Sequence, residues 1–192
     1  VVFGGPDIRE IIVKFGFSPG DGLRRYFPLI SRTISASLLI SHGLRLDTRL
    51  VLLFSDGLFL RFEPRRLRHL RPDEQSTYGI VRKVIVISSG RSSPQARECF
   101  PGVFAGIGGL ADFLKGGVRV FYADSKGVDL KSLSCPRDFK LVIGYPDLPN
   151  EDLQLLSRFD ALPVRISVSY KAPPSLIILL HNYFDRTILR KR

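Results

Sequence analysis

The residues of this 192-residue chain whose chemistry goes beyond packing are three histidines, two cysteines and several arginine clusters. His42 falls near the predicted end of a helix, where a cap or a contact with the helix dipole is the ordinary role. His69 lies among arginines at the surface, and His181 falls in an apolar final segment, where a satisfied packing residue is expected. Cys99 and Cys135 form neither a CxxC pair nor any other ligand spacing, so no metal centre is expected. Walker phosphate loop, HExxH helix and GxSxG elbow are all missing. One glycine pattern imitates a cofactor site. Gly106-Ile107-Gly108-Gly109-Leu110-Ala111 fits GxGxxA, and Asp124 follows 18 residues after the first glycine. Its context argues against a dinucleotide site: the preceding strand is confined to 103–105, and the following helix, expected over 106–115, is barely two turns.

The arginines carry a stronger signal. Lys and Arg number 29 against 18 Asp and Glu, a formal charge of +11, and 21 of the 29 are arginine. Such a field draws polyanions, and planar guanidinium forks suit phosphates and base edges. Arg24-Arg25 and the run Arg65, Arg66, Arg68, Arg71 are candidates for phosphate contact, the second as a single face only if that segment is helical. Few Asn, Gln and Cys also fit a heat-adapted proteome, in which charge serves stability instead. No apolar run approaches the ~20 residues that cross a bilayer, so no membrane partner is expected. Sparse cysteine points to a cytoplasmic setting.

These residues need a scaffold, and its outline is legible. A strand is expected over 8–15, broken by Ser18-Pro19-Gly20-Asp21-Gly22. A helix over 28–42 carries Leu29, Ile30, Ile34, Leu38 and Leu39 on one side. Strands at 49–54 and 58–62 flank Ser55-Asp56-Gly57 as a hairpin. Asp73 and Glu74 start a helix toward Lys83, and 88–95 reads as an exposed loop. Later segments alternate: strands at 118–122, 141–143 and 164–168, helices at 151–159 and 174–185. That alternation predicts one α/β domain spanning 1–192 with a largely parallel sheet. Ligands bind such sheets at the carboxyl ends of strands, which singles out the loops after Tyr122, Ile143 and Val168.

Several stretches, in order, resemble the TrmY family of archaeal tRNA pseudouridine-N1-methyltransferases, within the SPOUT superfamily. They are Arg9-Glu10-Ile11-Ile12-Val13-Lys14; Arg32-Thr33-Ile34-Ser35 leading to Ser41-His42-Gly43-Leu44-Arg45-Leu46-Asp47; and Leu60-Arg61-Phe62 with Leu70-Arg71-Pro72-Asp73-Glu74. Ile143-Gly144, Arg165-Ile166-Ser167-Val168-Ser169 and His181-Asn182 complete the series. The resemblance implies a sheet flanked by helices, with a deep trefoil knot and cofactor region at about 118–186, assembled as a homodimer. It implies S-adenosylmethionine held by Ala123, Gly144, Val168, Ser169, Tyr170, Lys171 and Leu176. It implies methylation of N1 of the T-loop pseudouridine, position 54 of tRNA. Arg32, Ser35, His42 and Arg45 would join Arg24 and Arg25 near the RNA, and Asp47 is the candidate acceptor of the N1 proton. Direct transfer from a sulfonium needs placement more than a strong base. The chain departs from the family pattern at Ala36, where an acid is usual, and in a shorter segment between Ser169 and Leu176. Two rival readings are a SPOUT enzyme acting elsewhere in RNA, such as an rRNA pseudouridine, and a non-catalytic RNA-binding module.

Overall fold

Strand β1, Arg9–Phe15, is the centre of the molecule, with six of its seven residues buried. A strand covered on both sides reads as a continuous β-branched run, and Ile11-Ile12-Val13 is one. The computed structural model describes residues 8–41, 43–88, 96–133, 138–169 and 172–189. His42, Cys135, Tyr170, Lys171 and the 89–95 segment fall outside the described residues.

Helix α1, Pro19–Leu38, follows β1 directly. The turn expected around Pro19 is the first turn of this helix, because proline's fixed φ and missing N–H suit that position. Phe27, Ile30, Ile34 and Leu38 recur at helical spacing and are buried. Thr33 and Ser37, also buried, donate to the carbonyls of Leu29 and Thr33. A short antiparallel pair, β2 Leu39–Ile40 with β3 Gly43–Leu44, leads to β4 Thr48–Leu53. The expected hairpin joins β4 to β5, Leu58–Phe62. Gly57 takes a φ of +82°, and the Leu58 N–H donates to Asp56 Oδ1 across the turn.

Helix α2, Glu74–Ser88, begins where Asp73 accepts the Ser76 N–H at 2.6 Å, an N-cap. Strands β6 Arg97–Phe100 and β7 Val103–Ile107 follow, then α3 Leu110–Leu114. The GxGxxA segment is therefore not a helix start. Gly106 sits within β7, antiparallel to β5, where a side chain would meet the Phe59 ring at 2.9 Å. Strand β8 Val120–Asp129, β9 Phe139–Tyr145, α4 Asn150–Arg158, β10 Leu162–Arg165 and α5 Pro173–Leu189 complete the chain.

All but β2 and β3 join one sheet, in the order β10-β8-β9-β1-β4-β5-β7-β6. Its first five strands are parallel, and the remaining pairings are antiparallel. The mostly parallel α/β sheet predicted from the alternation is thus present, with an antiparallel extension on one edge. Helices α1, α2 and α5 share one core with Ile11, Val13 and Phe15, while α3 and α4 pack on Ile12, Val51 and Val142 behind the sheet. After the edge strand β10 the chain returns across β8, and α5 packs on α1 and β9.

Candidate cofactor site

A cavity of about 200 Å³ opens at the carboxyl ends of β9 and β10, beside the point after Tyr122 where β8 parts from β9, the edge at which the topology of a parallel sheet places ligands. Each wall has a local cause. Strand β8 pairs with β10 through Phe121 and Tyr122, and again through Val128 and Asp129. The residues between bulge out, so Ala123, Asp124 and Ser125 line the cavity rather than continuing the ladder. Gly127 sits so close to Pro163 that a Cβ would lie 2.5 Å from its carbonyl carbon, which holds the bulge tight against β10.

Gly144 provides the second wall. A Cβ there would meet the Leu148 nitrogen at 2.5 Å and the Asp147 carbonyl carbon at 2.7 Å. Only glycine lets the 145–149 turn fold back over the end of β9. That turn leads into α4, whose Leu153 also faces the cavity. Lys14 is the register partner of Gly144, and its ammonium pairs with Asp152 in the first turn of α4. Asp152 is 5 % exposed. Central strand, cavity turn and α4 are therefore tied by one ion pair. Ile166, Ser167, Ser169 and Leu176 form the third wall, from the end of β10 to the first turns of α5.

The lining is mixed in a useful way. Leu148, Leu153, Ile166 and Leu176 offer apolar surface, while Asp124 and Asp147 bring negative charge. The Asp124 carboxylate accepts the Lys126 N–H at 2.8 Å. Burial, with Asp124 adding to it, pushes the Tyr122 phenol above its usual range, so it stays a neutral hydrogen-bonding group. Carboxylates beside apolar walls suit a ligand that joins apolar surface to positive charge.

Of the residues expected to hold a cofactor, the structure brings Ala123, Gly144, Ser169 and Leu176 to this cavity. Val168 is 89 % exposed and faces an adjoining open groove of about 790 Å³, between β10 and α5, that shares Ile166 and Ser167. Tyr170 and Lys171 lie outside the described residues. The two carboxylates are not among the cofactor residues that the sequence singles out. In the sequence Asp124 stands out only through the glycine pattern, and Asp147 stands beside Pro146 in what reads as an ordinary turn.

The expected RNA-side residues spread along α1. Arg24 and Arg25 are exposed in its early turns. Arg25 stacks over Tyr26 at 5.3 Å, and Tyr26 meets the edge of Tyr145, next to Gly144, at 6.1 Å. This pair of arginines therefore stands beside the cavity turn. Arg32 is exposed and Ser35 half-buried farther along the helix, and His42 lies outside the described residues.

Arg45 and Asp47 lie at the far end. Arg9 is the register partner of Thr48, and Lys14 that of Gly144. At about 3.3 Å per residue, Asp47 is thus some 16 Å from the cavity within one chain. It pairs there with the buried Arg9 guanidinium, while Arg45 makes a two-pronged bridge to Asp185 at 2.9 and 2.8 Å. That bridge draws the Asp185 carboxyl below its usual range. Between the pairs sits His181, 4 % exposed, with neither ring nitrogen partnered among the described residues. Burial pushes its imidazole down to about 4, with Arg45 and Arg9 adding to the effect. His181 is a packing residue as expected, but a neutral and unsatisfied one.

Among the described residues no cluster could hold a metal ion, and no helix is long and apolar enough to cross a membrane.

The sequence from residue 21 to 189 matches the pattern of a family described as "Putative SAM-dependent RNA methyltransferase". The tRNA (pseudouridine(54)-N(1))-methyltransferase of Methanopyrus kandleri is 30% identical, the alignment covering 93% of each chain. That of Methanococcoides burtonii is 27% identical, over 85% of this chain and 84% of the relative. In structure, Archaeoglobus fulgidus Nep1 bound to S-adenosylhomocysteine superposes with a TM-score of 0.64 at 14% identity, over 92% of this chain and 97% of that one. The chain belongs to the family of SAM-dependent RNA methyltransferases that includes these archaeal tRNA (pseudouridine(54)-N(1))-methyltransferases.

Proposed function

We propose that this protein methylates N1 of pseudouridine 54 in tRNA, using S-adenosylmethionine held in the cavity between β8 and the ends of β9 and β10. One observation carries the proposal. The loops at which a parallel sheet should bind a ligand converge here on a small cavity with apolar walls and two carboxylates. Leu148, Leu153 and Leu176 would flank the adenine, with Asp124 and Asp147 facing the cationic part of the cofactor and Gly144 keeping the turn close. When bound, the cofactor supplies an activated methyl group on a sulfonium.

What the chain itself must then do is place the nucleobase in line and exclude water. Arg24 and Arg25 stand beside the cavity turn and would hold flanking phosphates. Asp47, the candidate proton acceptor, is too far from its own cavity to serve it. Its role goes with a homodimer in which one copy brings Asp47, Arg45, Arg32 and Ser35 to the cavity of the other. The same reading includes the C-terminal trefoil knot. It is supported by the packing of α5, which follows the edge strand β10, on α1 and β9 with Leu176 at the cavity, and by the Nep1-like fold.

Incubation with S-adenosylmethionine and tRNA transcripts carrying either uridine or pseudouridine at position 54, followed by nucleoside mass spectrometry, tests the reaction. 1-Methylpseudouridine from the second transcript alone is expected. A methyl group on any other nucleoside refutes the substrate assignment.

A further inference from the structure

The arginine run at 65–71 is not taken up by the cavity or by α1. It lies on the antiparallel edge of the sheet, and the fold holds it in place. The segment is a series of turns rather than a helix: the N–H groups of Arg66 and Leu67 both donate to the Glu63 carbonyl. Leu67 is 3 % exposed and Leu70 is half-buried against the main core, so two apolar anchors three residues apart pin the run. Gly102 locks it from beneath. Its φ is +78°, a Cβ would lie 2.3 Å from the Leu67 nitrogen, and its carbonyl accepts the Glu63 N–H at 2.8 Å. Around these anchors Arg65, Arg66, Arg68 and Arg71 are all exposed.

Beside the run, Phe104 of β7 is flanked by two guanidinium groups, Arg61 at 5.0 Å and Arg66 at 5.2 Å from the ring centre. Arg61 leans toward Glu63, and Arg66 is paired with Glu98. Arg65, Arg68, Arg71 and the neighbouring Arg97 are exposed and have no ion pair among the described residues. Arg61 and Arg66 thus meet the carboxylates of Glu63 and Glu98, Glu63 being shared with Arg49, while the exposed Arg65, Arg68, Arg71 and Arg97 meet none among the described residues. A surface that only needed solubility would not fix unpaired like charges on a glycine-locked turn with a buried leucine anchor, because their repulsion costs stability. An array of held guanidinium groups around an aromatic ring matches the backbone of a structured RNA.

We infer that the 64–72 turns and the adjoining β5–β7–β6 edge form a second RNA-docking surface, which grips the phosphates of the tRNA body while the target base is in the cavity. The inference rests on the proposal that the substrate is RNA. By sheet order, β7 is four strands from β9, about 19 Å at a spacing of about 4.8 Å, so this surface meets nucleotides well away from the target.

The test compares the wild type with the triple variant R65Q/R68Q/R71Q and a control, K115Q/R119Q/R158Q, that removes the same charge from the opposite part of the sheet. Binding of fluorescently labelled full-length tRNA is followed by anisotropy between 50 and 300 mM KCl, with circular dichroism to verify folding. The first variant should bind at least about tenfold more weakly, with the slope of log Kd against log salt reduced by about 2 to 3. Its affinity for S-adenosylmethionine should be unchanged by calorimetry. The control should stay within about threefold of wild type in tRNA affinity. Equal losses in both variants, or no loss in the first, overturn the inference. The readout is binding, so it stands apart from the reaction: wild-type protein that binds tRNA through these arginines without methylating pseudouridine 54 sinks the proposed activity and leaves this surface intact.

Discussion

Replacing Lys14 with methionine leaves Asp152 as a buried carboxylate with no cation. Asp152 is 5 % exposed and stands in the first turn of α4. Removing one partner of a buried pair costs roughly 3–5 kcal/mol, since the remaining charge is neither solvated nor compensated. The Lys14 side chain keeps 20 % of its exposure, so some water reaches the pair and the lower end applies, about 3 kcal/mol. For a chain of this size that lowers Tm by about 6–12 °C. Because α4 brings Leu153 to the cavity and follows the Gly144 turn, affinity for S-adenosylmethionine should fall as well, by about tenfold. Urea unfolding and calorimetric titration measure the two effects. The double variant Lys14→Met/Asp152→Leu replaces the pair with apolar groups and should recover stability to within about 1 kcal/mol of wild type. A single variant as stable as wild type, or a double variant no better than the single, refutes the view that this pair anchors α4.

Three further outcomes follow from other parts of the molecule. Gly102→Ala places a Cβ against the Leu67 backbone at a positive φ, so urea unfolding should show a loss of at least about 1–3 kcal/mol. His181 has a folded-state pKa of about 4 against an ordinary 6.5, so the unfolded chain binds the extra proton between those values. Its contribution is complete above pH 6.5 and is lost as pH falls toward 4, about 3 kcal/mol in all; His181→Leu should flatten that part of the stability curve. Asp47→Asn and Ser169→Arg, each inactive alone, should recover about a quarter of wild-type methyl transfer when refolded together, because half of the random dimers then contain one whole site. No recovery argues against a site shared between copies.

Much of this was legible in the sequence because local rules and tertiary packing agreed. The hairpin around Gly57, the Asp73 cap of α2 and the continuous apolar run of β1 each form where their residue types direct. Alternating strands and helices also located the cavity, since ligand placement in a parallel sheet follows from topology rather than side chains. Where local signals misled, tertiary context prevailed. Pro19 and Gly20 read as a turn yet begin α1, and Gly106 reads as a helix start yet pairs in β7 under Phe59. The bulge that presents Asp124 could not be foreseen, because it depends on how Gly127 meets Pro163 on another strand. The separation of Asp47 from Gly144 likewise requires knowing the register of three parallel strands.

The central claim is that the strand-end cavity holds the methyl donor. A crystal structure of the protein with S-adenosylhomocysteine tests it most directly. The ligand should lie between Ala123, Gly144, Ser169 and Leu176, with its amino-acid portion toward Asp124 or Asp147. Ligand bound instead in the open groove beside Val168 and Tyr183, with the cavity at Gly144 left to solvent, would contradict the account.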